Sequence, residues 1–246
     1  MREKKERNAA IVLAAGRGSR MHSTVQKQYM ALGAYPVLYY SLKRFEEFAD
    51  VDEIILVTGE EEVSYCKEKI VEAYGLKKVG QIIPGGKERY HSVYQGLCAL
   101  KDCDYVFIHD GARPFADGEM LVRVMEAVRK YKACVVGMPV KDTIKMSDEK
   151  QFAVQTPDRS RLWTVQTPQV FSYGLIKEAY DRLFKGEYSG ITDDAMVVEQ
   201  TMHHPVKLVE GSYRNIKITT PEDILIAEAF LTADVSEVSG QRAGKS

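Results

Sequence analysis

Four short runs of consecutive apolar residues recur along the chain, with longer amphipathic stretches between them. The runs occupy 9–14, 54–57, 105–108 and 133–136. Their length and continuity are typical of strands buried on both faces of a sheet. In the intervening stretches apolar residues return every three or four positions, which predicts helices. Those stretches cover 37–48, 60–74, 88–100 and 119–132. The alternation predicts an α/β fold, with a mostly parallel sheet flanked by helices.

The alternation stops after Pro139. Two short segments, 143–146 and 152–155, alternate apolar and polar residues across the polar turn 147–150, a pattern that predicts a β-hairpin. An isolated hairpin is marginally stable in water. We therefore expect this protruding β-arm to pack on another surface, for which a second copy of the chain is a reasonable candidate.

The two ends of the chain are predicted to be tails. The first seven residues are mostly charged, and the segment 233–246 has no apolar periodicity. A final helix is predicted to begin at Pro221, since proline is favoured in the first turn of a helix. We therefore expect one domain over 8–232, with flexible tails over 1–7 and 233–246.

Composition excludes several classes of protein. The chain of 246 residues has 34 Lys and Arg against 35 Asp and Glu, which argues against a basic face for nucleic acid. Its four cysteines are irregularly spaced and form no C-x-x-C pattern, which argues against a disulfide framework or structural zinc. No stretch reaches the roughly 18 apolar residues of a membrane span, and no apolar signal region follows the charged start. We expect a cytoplasmic protein that binds neither nucleic acid nor membranes.

A glycine-bearing turn directly after the first predicted strand is the strongest local signal. Gly16 and Gly18 allow the backbone to approach a ligand, and successive N–H groups there can bind phosphate oxygens. Arg20 and Lys27 follow closely, so a folded-back loop would place two cations on one triphosphate. The alternative is a plain strand-to-helix turn, because the third glycine of the dinucleotide fingerprint and the G-K-[ST] ending of a P-loop are absent.

A carboxylate and a second pair of glycines follow later strands. Asp110 comes just after the third apolar run and just before a glycine, a position that suits a hard cation such as Mg²⁺. An ordinary turn aspartate is the alternative, and we interpret His109 beside it as an orienting or core residue. Gly85 and Gly86 precede a predicted helix that carries Arg89. They predict donors for a base, ribose or phosphate, or else a glycine-rich helix start.

No pattern indicates covalent catalysis. The chain has no G-x-S-x-G elbow and no grouping of Ser, Cys and His typical of a nucleophilic site. Glycine turns, two cations and one carboxylate instead fit phosphoryl or nucleotidyl transfer. In that chemistry the protein mainly positions groups and stabilises charge.

Seven motifs, in order along nearly the whole chain, carry a resemblance to a known enzyme family. They are 14–21, 27–29, 85–86 with Arg89 and Ser92, 109–114, 164–169, 191–195 and 215–223. Together they resemble the 2-C-methyl-D-erythritol 4-phosphate cytidylyltransferases of the non-mevalonate isoprenoid pathway. The resemblance implies a Rossmann-like nucleotidyltransferase fold and a homodimer joined through the arm at about 140–165. It also implies Mg²⁺-dependent transfer of CMP from CTP to methylerythritol 4-phosphate, with release of pyrophosphate.

The same resemblance implies a role for each matching residue. The CTP site would be lined by Ala14, Ala15, Gly16, Gly18, Gly86 and Ser92. The catalytic cations would be Arg20, Lys27 and Lys217, and Asp110 would hold Mg²⁺. The residues around methylerythritol phosphate would be Asp110, Arg113, Thr167, Thr192 and Lys217, joined by Thr143 and Arg159 from the arm of a second subunit.

Three alternative functions follow from the same residues. A ribitol-5-phosphate cytidylyltransferase would share the fold, the CTP turn and the metal-binding aspartate, and would differ in the alcohol pocket. A non-catalytic nucleotide sensor would predict a damaged set of cations, whereas Arg20, Lys27, Asp110 and Lys217 are all present. An NAD-dependent oxidoreductase would need the full G-x-G-x-x-G fingerprint.

Overall fold

The computed structural model describes residues 5–16 and 26–243, and in these residues a mixed sheet lies between two layers of helices. In chain order the strands are β1 (Asn8–Ala14), β2 (Ala31–Leu32), β3 (Tyr35–Pro36), β4 (Glu53–Thr58), β5 (Val79–Pro84), β6 (Tyr105–Asp110), β7 (Ala133–Pro139), β8 (Met146–Ser147), β9 (Ala153–Gln155), β10 (Trp163–Ser172) and β11 (Lys207–Glu210). The central sheet has seven strands in the order β11-β7-β10-β6-β1-β4-β5. The pairs β2-β3 and β8-β9 stand apart from it.

Helices connect most of these strands. In chain order they are α1 (Val37–Glu47), α2 (Val63–Tyr65), α3 (Arg89–Ala99), α4 (Gly118–Tyr131), α5 (Tyr173–Leu183), α6 (Asp194–Met202) and α7 (Pro221–Ala243). The helix predicted over 60–74 is a composite, because α2 lies between a 3₁₀ turn (Glu60–Glu62) and a π-helical segment (Cys66–Glu72). The other three predicted helices are confirmed as α1, α3 and α4.

Different helices cover the two faces of the sheet. Leu42 and Phe45 of α1 and Val124 of α4 are fully buried on one face. Val93 of α3 and Tyr180 of α5 are fully buried on the other. Burying a large apolar side chain stabilises the fold by about 1.5–3 kcal/mol. With both faces covered, ligands can reach the sheet only at its edges, where strands end.

One strand of the sheet runs against the others. β1, β4, β5 and β6 are parallel to one another, and β7 is parallel to β11. β10 is antiparallel to both of its neighbours, β6 and β7. The predicted mostly parallel sheet is confirmed, but β10 was not predicted. Its buried middle carries the polar residues Gln166, Thr167 and Gln169, which hide the apolar pattern of a buried strand.

The predicted hairpin is present and is shorter than expected. Its strands β8 and β9 pair in antiparallel fashion, and Asp148 Oδ1 accepts hydrogen bonds from the N–H groups of Lys150 and Phe152 in the turn. Phe152 is 69% exposed and Val154 is 64% exposed, so nothing in the described part of the chain covers them. A second copy of the chain as their cover stays a prediction.

Parts of both predicted tails make defined structure. Lys5 pairs with Asp52 at 3.5 Å, and Arg7 pairs with Glu53 at 2.9 Å. At the other end α7 continues to Ala243, past the point where the sequence predicts a tail. Once a helix is nucleated, backbone hydrogen bonds can extend it without an apolar face. In the residues described, no helix has the length and apolar content needed to cross a membrane.

Candidate active site

Two clefts open at the carboxyl edge of the sheet, and they meet at Asp110. The first has a cavity volume of about 190 Å³ and is partly open to solvent. Its lining includes Leu13, Ala14, Ala15, Gly16, Lys27, Gln28, Gly86, Lys87, Glu88, Ser92 and Ala112. The second is lined by Arg113, Val165, Gln166, Thr167, Gln169, Thr192 and Asp193. Arg89, Asp110 and Lys217 line both clefts.

A buried glutamine holds the turn after β1 in place beneath the first cleft. Gln28 is 2% exposed. Its Nε2 donates to the carbonyl oxygen of Ala14 at 2.6 Å and to that of Gly16 at 3.3 Å. These bonds tie the end of β1 to the short 3₁₀ turn Lys27–Tyr29. Lys27 precedes Gln28 directly, so the same bonds fix its backbone at the wall of the first cleft.

The second glycine turn packs directly against the first. A Cβ atom at Gly85 would lie 2.6 Å from the Cβ of Ala15, so only glycine fits there. The N–H of Gly86 donates to Ser92 Oγ at 3.0 Å, and Ser92 Oγ donates to the carbonyl oxygen of Glu88 at 3.4 Å. The two glycines thus lead into α3, and Gly86 lies in the wall of the first cleft.

Asp110 ends β6 and is surrounded by cations. Its Oδ2 lies 2.7 Å from Lys217 Nζ and 3.9 Å from Arg113 Nε, and its Oδ1 accepts from Arg89 Nε at 3.3 Å. Burial of the carboxyl group opposes its ionisation, but the charges of Arg89 and Lys217 outweigh burial and hold the pKa of Asp110 well below its usual range. Asp110 is therefore a carboxylate throughout the physiological pH range.

A chain of hydrogen bonds lies behind Asp110. His109 is fully buried, and its Nε2 is 3.0 Å from the carbonyl oxygen of Arg113. A carbonyl only accepts, so Nε2 carries the proton and Nδ1 accepts from the Thr167 hydroxyl at 3.1 Å. Thr167 Oγ1 in turn accepts from the N–H of Asp110 at 3.0 Å. Burial lowers the pKa of His109 to about 4, so its ring is neutral, and its burial and hydrogen bonds agree with the interpretation of an orienting or core residue.

A buried asparagine positions the loop that carries Lys217. Asn215 is 0% exposed, and its Nδ2 donates to the carbonyl oxygen of Thr167 at 2.9 Å and to Gln166 Oε1 at 3.2 Å. The backbone carbonyl oxygen of Asn215 accepts from Arg113 Nη1 at 2.7 Å. The loop is thus tied to β10 and to the residues after β6, which brings Lys217 to Asp110.

Arg89, which keeps 28% of its side chain exposed, forms an ion pair with the fully buried Asp194 that the sequence did not reveal. Nη1 and Nη2 of Arg89 donate to the two carboxylate oxygens of Asp194 at 2.9 and 2.8 Å. Tyr180 Oη also donates to Asp194, at 2.6 Å. The motifs containing Arg89 and Asp194 both resembled the family, but residues 105 positions apart give no signal of pairing in a single sequence.

The structure brings most of the predicted site residues together. Those that line one or both clefts are Ala14, Ala15, Gly16, Lys27, Gly86, Ser92, Asp110, Arg113, Thr167, Thr192 and Lys217. Thr143 and Arg159 lie at the arm and line neither of these clefts, and Arg159 Nη1 donates to the carbonyl oxygen of Lys141 at 2.7 Å. Gly18 and Arg20 lie outside the described residues.

The donor set at the junction of the clefts limits which metal could bind. Across 5–16 and 26–243, no three His, Cys, Asp or Glu side chains cluster as metal ligands would. Mg²⁺ commonly takes one or two carboxylates together with water and substrate phosphates. The single carboxylate of Asp110 therefore fits a Mg²⁺ ion held jointly with phosphate, and does not fit a metal held by protein alone.

Comparisons with known proteins agree with one another. The family model described as 2-C-methyl-D-erythritol 4-phosphate cytidylyltransferase (IspD) matches residues 8–233. A protein of that name from Lachnoclostridium phytofermentans is 52% identical over 92% of this chain and 97% of its own. One from Lachnospira eligens is 53% identical over 91% and 99%. Among solved structures, that of 4-diphosphocytidyl-2C-methyl-D-erythritol synthase from Anaerococcus prevotii superimposes with a TM-score of 0.81. The match covers 93% of this chain and 97% of that one, at 35% sequence identity.

Proposed function

The chain belongs to the 2-C-methyl-D-erythritol 4-phosphate cytidylyltransferase family, and we propose that its two clefts divide the two substrates of the reaction. The enzyme transfers CMP from CTP to methylerythritol 4-phosphate, giving 4-diphosphocytidyl-2-C-methyl-D-erythritol and pyrophosphate. The main support for this division is that Arg89, Asp110 and Lys217 line both clefts. At their junction the α-phosphorus of CTP in one cleft would face the phosphate of methylerythritol 4-phosphate in the other. We take residues 8–232 as a single nucleotidyltransferase domain.

The first cleft is proposed to hold CTP. Gly16 has open space where a side chain would stand, so a ligand can approach the backbone of this turn closely, which suits phosphate and ribose oxygens. The nucleotide-binding residues would be Ala14, Ala15, Gly16, Gly18, Gly86 and Ser92. Arg20 and Lys27 would contact the triphosphate, and Lys27 lines the cleft beside the turn.

The second cleft is proposed to hold methylerythritol 4-phosphate. Arg113 Nε is buried and has no hydrogen-bond partner, so the cleft lacks an acceptor that a phosphate would supply. Lys217 adds a second cation and Thr192 an exposed hydroxyl at the same wall. The hydroxyl of Thr167 is engaged with Asp110 and His109, so its main contribution would be to the position of Asp110.

The reaction requires charge stabilisation more than a general base. The second pKa of a phosphate monoester is near ~6, so its oxygen is mostly deprotonated at pH 7 and can attack without a base. This oxygen forms a bond to the α-phosphorus of CTP, the bond from that phosphorus to its bridging oxygen breaks, and pyrophosphate leaves with the electron pair. Arg20, Lys27 and Lys217 would neutralise the charge that collects on the pentacoordinate phosphorus.

A Mg²⁺ ion is part of the proposal. Asp110 would hold it together with phosphate oxygens of CTP, because this carboxylate is ionised and lies where the clefts meet. When bound, Mg²⁺ supplies Lewis-acid stabilisation of phosphate charge. Lys217 pairs with Asp110 at 2.7 Å. Binding of Mg²⁺ to Asp110 would release Lys217 to contact a substrate phosphate.

We also propose a homodimer joined through the arm. The exposed apolar residues Phe152 and Val154 need cover, and Thr143 and Arg159 on the arm line neither cleft of their own chain. In a symmetric dimer each arm could deliver these two residues to the second cleft of the other subunit.

Pyrophosphate release from CTP tests the substrates. The purified protein would receive Mg²⁺ with methylerythritol 4-phosphate or ribitol 5-phosphate in parallel, and ATP, GTP or UTP would replace CTP as controls. We expect fast release only with CTP and methylerythritol 4-phosphate. A preference for ribitol 5-phosphate would keep the first cleft and overturn the assignment of the second. Absence of pyrophosphate release with both alcohols would contradict catalysis and favour a nucleotide sensor.

Subunit mixing tests the arm. Asp110→Asn and Arg159→Ala should each be nearly inactive as homodimers, because each lacks one part of every site. After mixing and subunit exchange, heterodimers carry one intact site, with Asp110 from one chain and Arg159 from the other. Recovery of activity on mixing is expected. If activity stays at the level of the separate variants while heterodimers form, Arg159 does not act across the interface.

A further inference from the structure

Arg89 bridges two carboxylates, so its guanidinium group is not free to bind a phosphate. Its Nε donates to Asp110 Oδ1 at 3.3 Å. Its Nη1 and Nη2 donate in parallel to Asp194 at 2.9 and 2.8 Å. Arginine recognises phosphate through such a parallel pair of N–H groups. In Arg89 that pair is already occupied by a carboxylate of the chain itself.

Asp194 is fixed from three sides. Its side chain is 0% exposed and accepts a bond from Tyr180 Oη at 2.6 Å. Its N–H and that of Ala195 donate to Gln169 Oε1 at 3.0 and 2.9 Å, which clamps the start of α6 onto β10. If Arg89 moved away, the fully buried charge of Asp194 would be left uncompensated, which is strongly unfavourable. Arg89 therefore cannot leave Asp194 readily.

The other two cations beside Asp110 are held differently. Lys217 keeps 35% of its side chain exposed while it contacts Asp110, and it lines both clefts. Arg113 has an Nε without a hydrogen-bond partner. Lys217 can therefore turn toward a phosphate oxygen, and Arg113 can offer its Nε to one while its Nη1 stays bonded to the carbonyl oxygen of Asn215. In Arg89 both Nη groups are taken by Asp194.

We propose that Asp194 locks Arg89 away from phosphate, so that Arg89 serves as a positioning residue for the Asp110 carboxylate. The pair then fixes one oxygen of Asp110 while its second oxygen exchanges partners during the reaction. The proposal rests on the proposed function in one respect, since it assigns the reacting phosphates to the junction at Asp110. It adds a role for two residues outside the predicted site.

Three variants separate locking from plain structural support. Asp194→Asn keeps the shape of the side chain and removes the charge that holds Arg89. Asp194→Glu keeps the charge and is the conservative rescue. Tyr180→Phe removes one hydrogen bond to Asp194 and leaves the ion pair intact. For each, kcat and KM of both substrates would be measured by pyrophosphate release, binding of inorganic pyrophosphate by calorimetry, and stability by thermal unfolding.

Locking predicts opposite changes in turnover and anion affinity. For folded Asp194→Asn we expect kcat to fall about 100-fold, as a misplaced catalytic group commonly causes, with no rise in KM. The released guanidinium should bind pyrophosphate about tenfold more tightly than in the wild-type enzyme. Asp194→Glu should recover most of the turnover, and Tyr180→Phe should stay within about threefold of wild type.

Other outcomes would overturn the proposal. Pyrophosphate binding that is unchanged or weaker in Asp194→Asn would show that Arg89 is not released. A higher KM with unchanged kcat would show that the pair only shapes the cleft, and equal losses in Tyr180→Phe and Asp194→Asn would indicate general support. The wild-type enzyme assayed alongside separates the two proposals. A wild type that releases no pyrophosphate would refute the function, while pyrophosphate binding would still test whether Asp194 holds Arg89.

Discussion

The two clefts that meet at Asp110 are built differently. The core of the first is backbone, from the turn 14–16 and the close-packed turn at Gly86, with open space around Gly16. The second is made of side chains such as Arg113, Thr192 and Lys217, which come from separate segments of the chain. A backbone site is encoded in a few adjacent residues, whereas a side-chain site exists only after the fold has assembled it.

The forces that hold the clefts also differ. The turn beneath the first cleft depends on neutral hydrogen bonds from Gln28. At the junction and around the second cleft, opposite charges neutralise one another, as in the bonds from Arg89 to Asp110 and Asp194. Losing a neutral partner costs about 1–3 kcal/mol, and breaking a buried ion pair costs about 3–5 kcal/mol. Substitutions should therefore affect the two clefts selectively, except at their junction.

The largest effect is expected at the junction. Asp110→Asn should lower kcat by at least about 10³-fold, because it removes the proposed Mg²⁺ ligand and leaves three cations facing one another. Pyrophosphate release and thermal unfolding would measure it, with exposed Asp102→Asn as the control. If the variant keeps more than a tenth of the wild-type kcat, the clefts do not meet at a catalytic group.

A loss confined to the first cleft is expected for Lys27→Ala. Removal of a cation that stabilises the transition state should lower kcat about 10²–10³-fold, with the KM of methylerythritol 4-phosphate unchanged. Lys27→Arg should recover part of the loss, and exposed Lys67→Ala is the control. Near-normal turnover of Lys27→Ala would remove this residue from the catalytic set.

Gln28 tests the backbone character of the first cleft. Gln28→Ala and Gln28→Glu both remove the donor to Ala14 and Gly16, so each should destabilise the protein by about 1–3 kcal/mol. The KM of CTP should rise about tenfold, while that of methylerythritol 4-phosphate stays the same. Denaturant unfolding and steady-state kinetics measure both quantities. Equal increases in the two KM values would contradict a separate first cleft.

The smallest effect is expected at the rim of the second cleft. Thr192→Val removes one exposed hydroxyl and should raise the KM of methylerythritol 4-phosphate about three- to tenfold, the value of a single hydrogen bond. The KM of CTP should not change, and Thr192→Ser should behave like the wild type. A change in the KM of CTP alone would place Thr192 at the other substrate.

The same contrast explains what could be predicted from the sequence. The runs 9–14 and 105–108 lie on buried strands, where continuous apolar residues identify them, and they became β1 and β6. β10 could not be predicted, because Gln166, Thr167 and Gln169 are buried by hydrogen bonding rather than by apolar character.

Site residues likewise fall into those that a local motif identifies and those that only the fold brings together. Short glycine motifs and the resemblance to a family are enough to point to Gly16, Gly86 and Asp110 from the sequence alone. The partners of Asp110 could not be predicted, because the bond from Arg89 to Asp194 and the bonds from Asn215 to β10 join segments far apart in the chain. Only the arrangement of strands brings them within reach of one another.

The reversed direction of β10 decides where the arm leaves the sheet. β7 ends at Pro139 and β10 begins at Trp163, and these two residues pair at the carboxyl edge of the sheet. The arm therefore leaves the molecule at the rim of the clefts instead of at the far end of the strands. A neighbour that contacts the base of the arm would lie on the same side of the sheet as the clefts, so in the proposed dimer the geometry of assembly would bear on access of the substrates as well as on the fit of the interface.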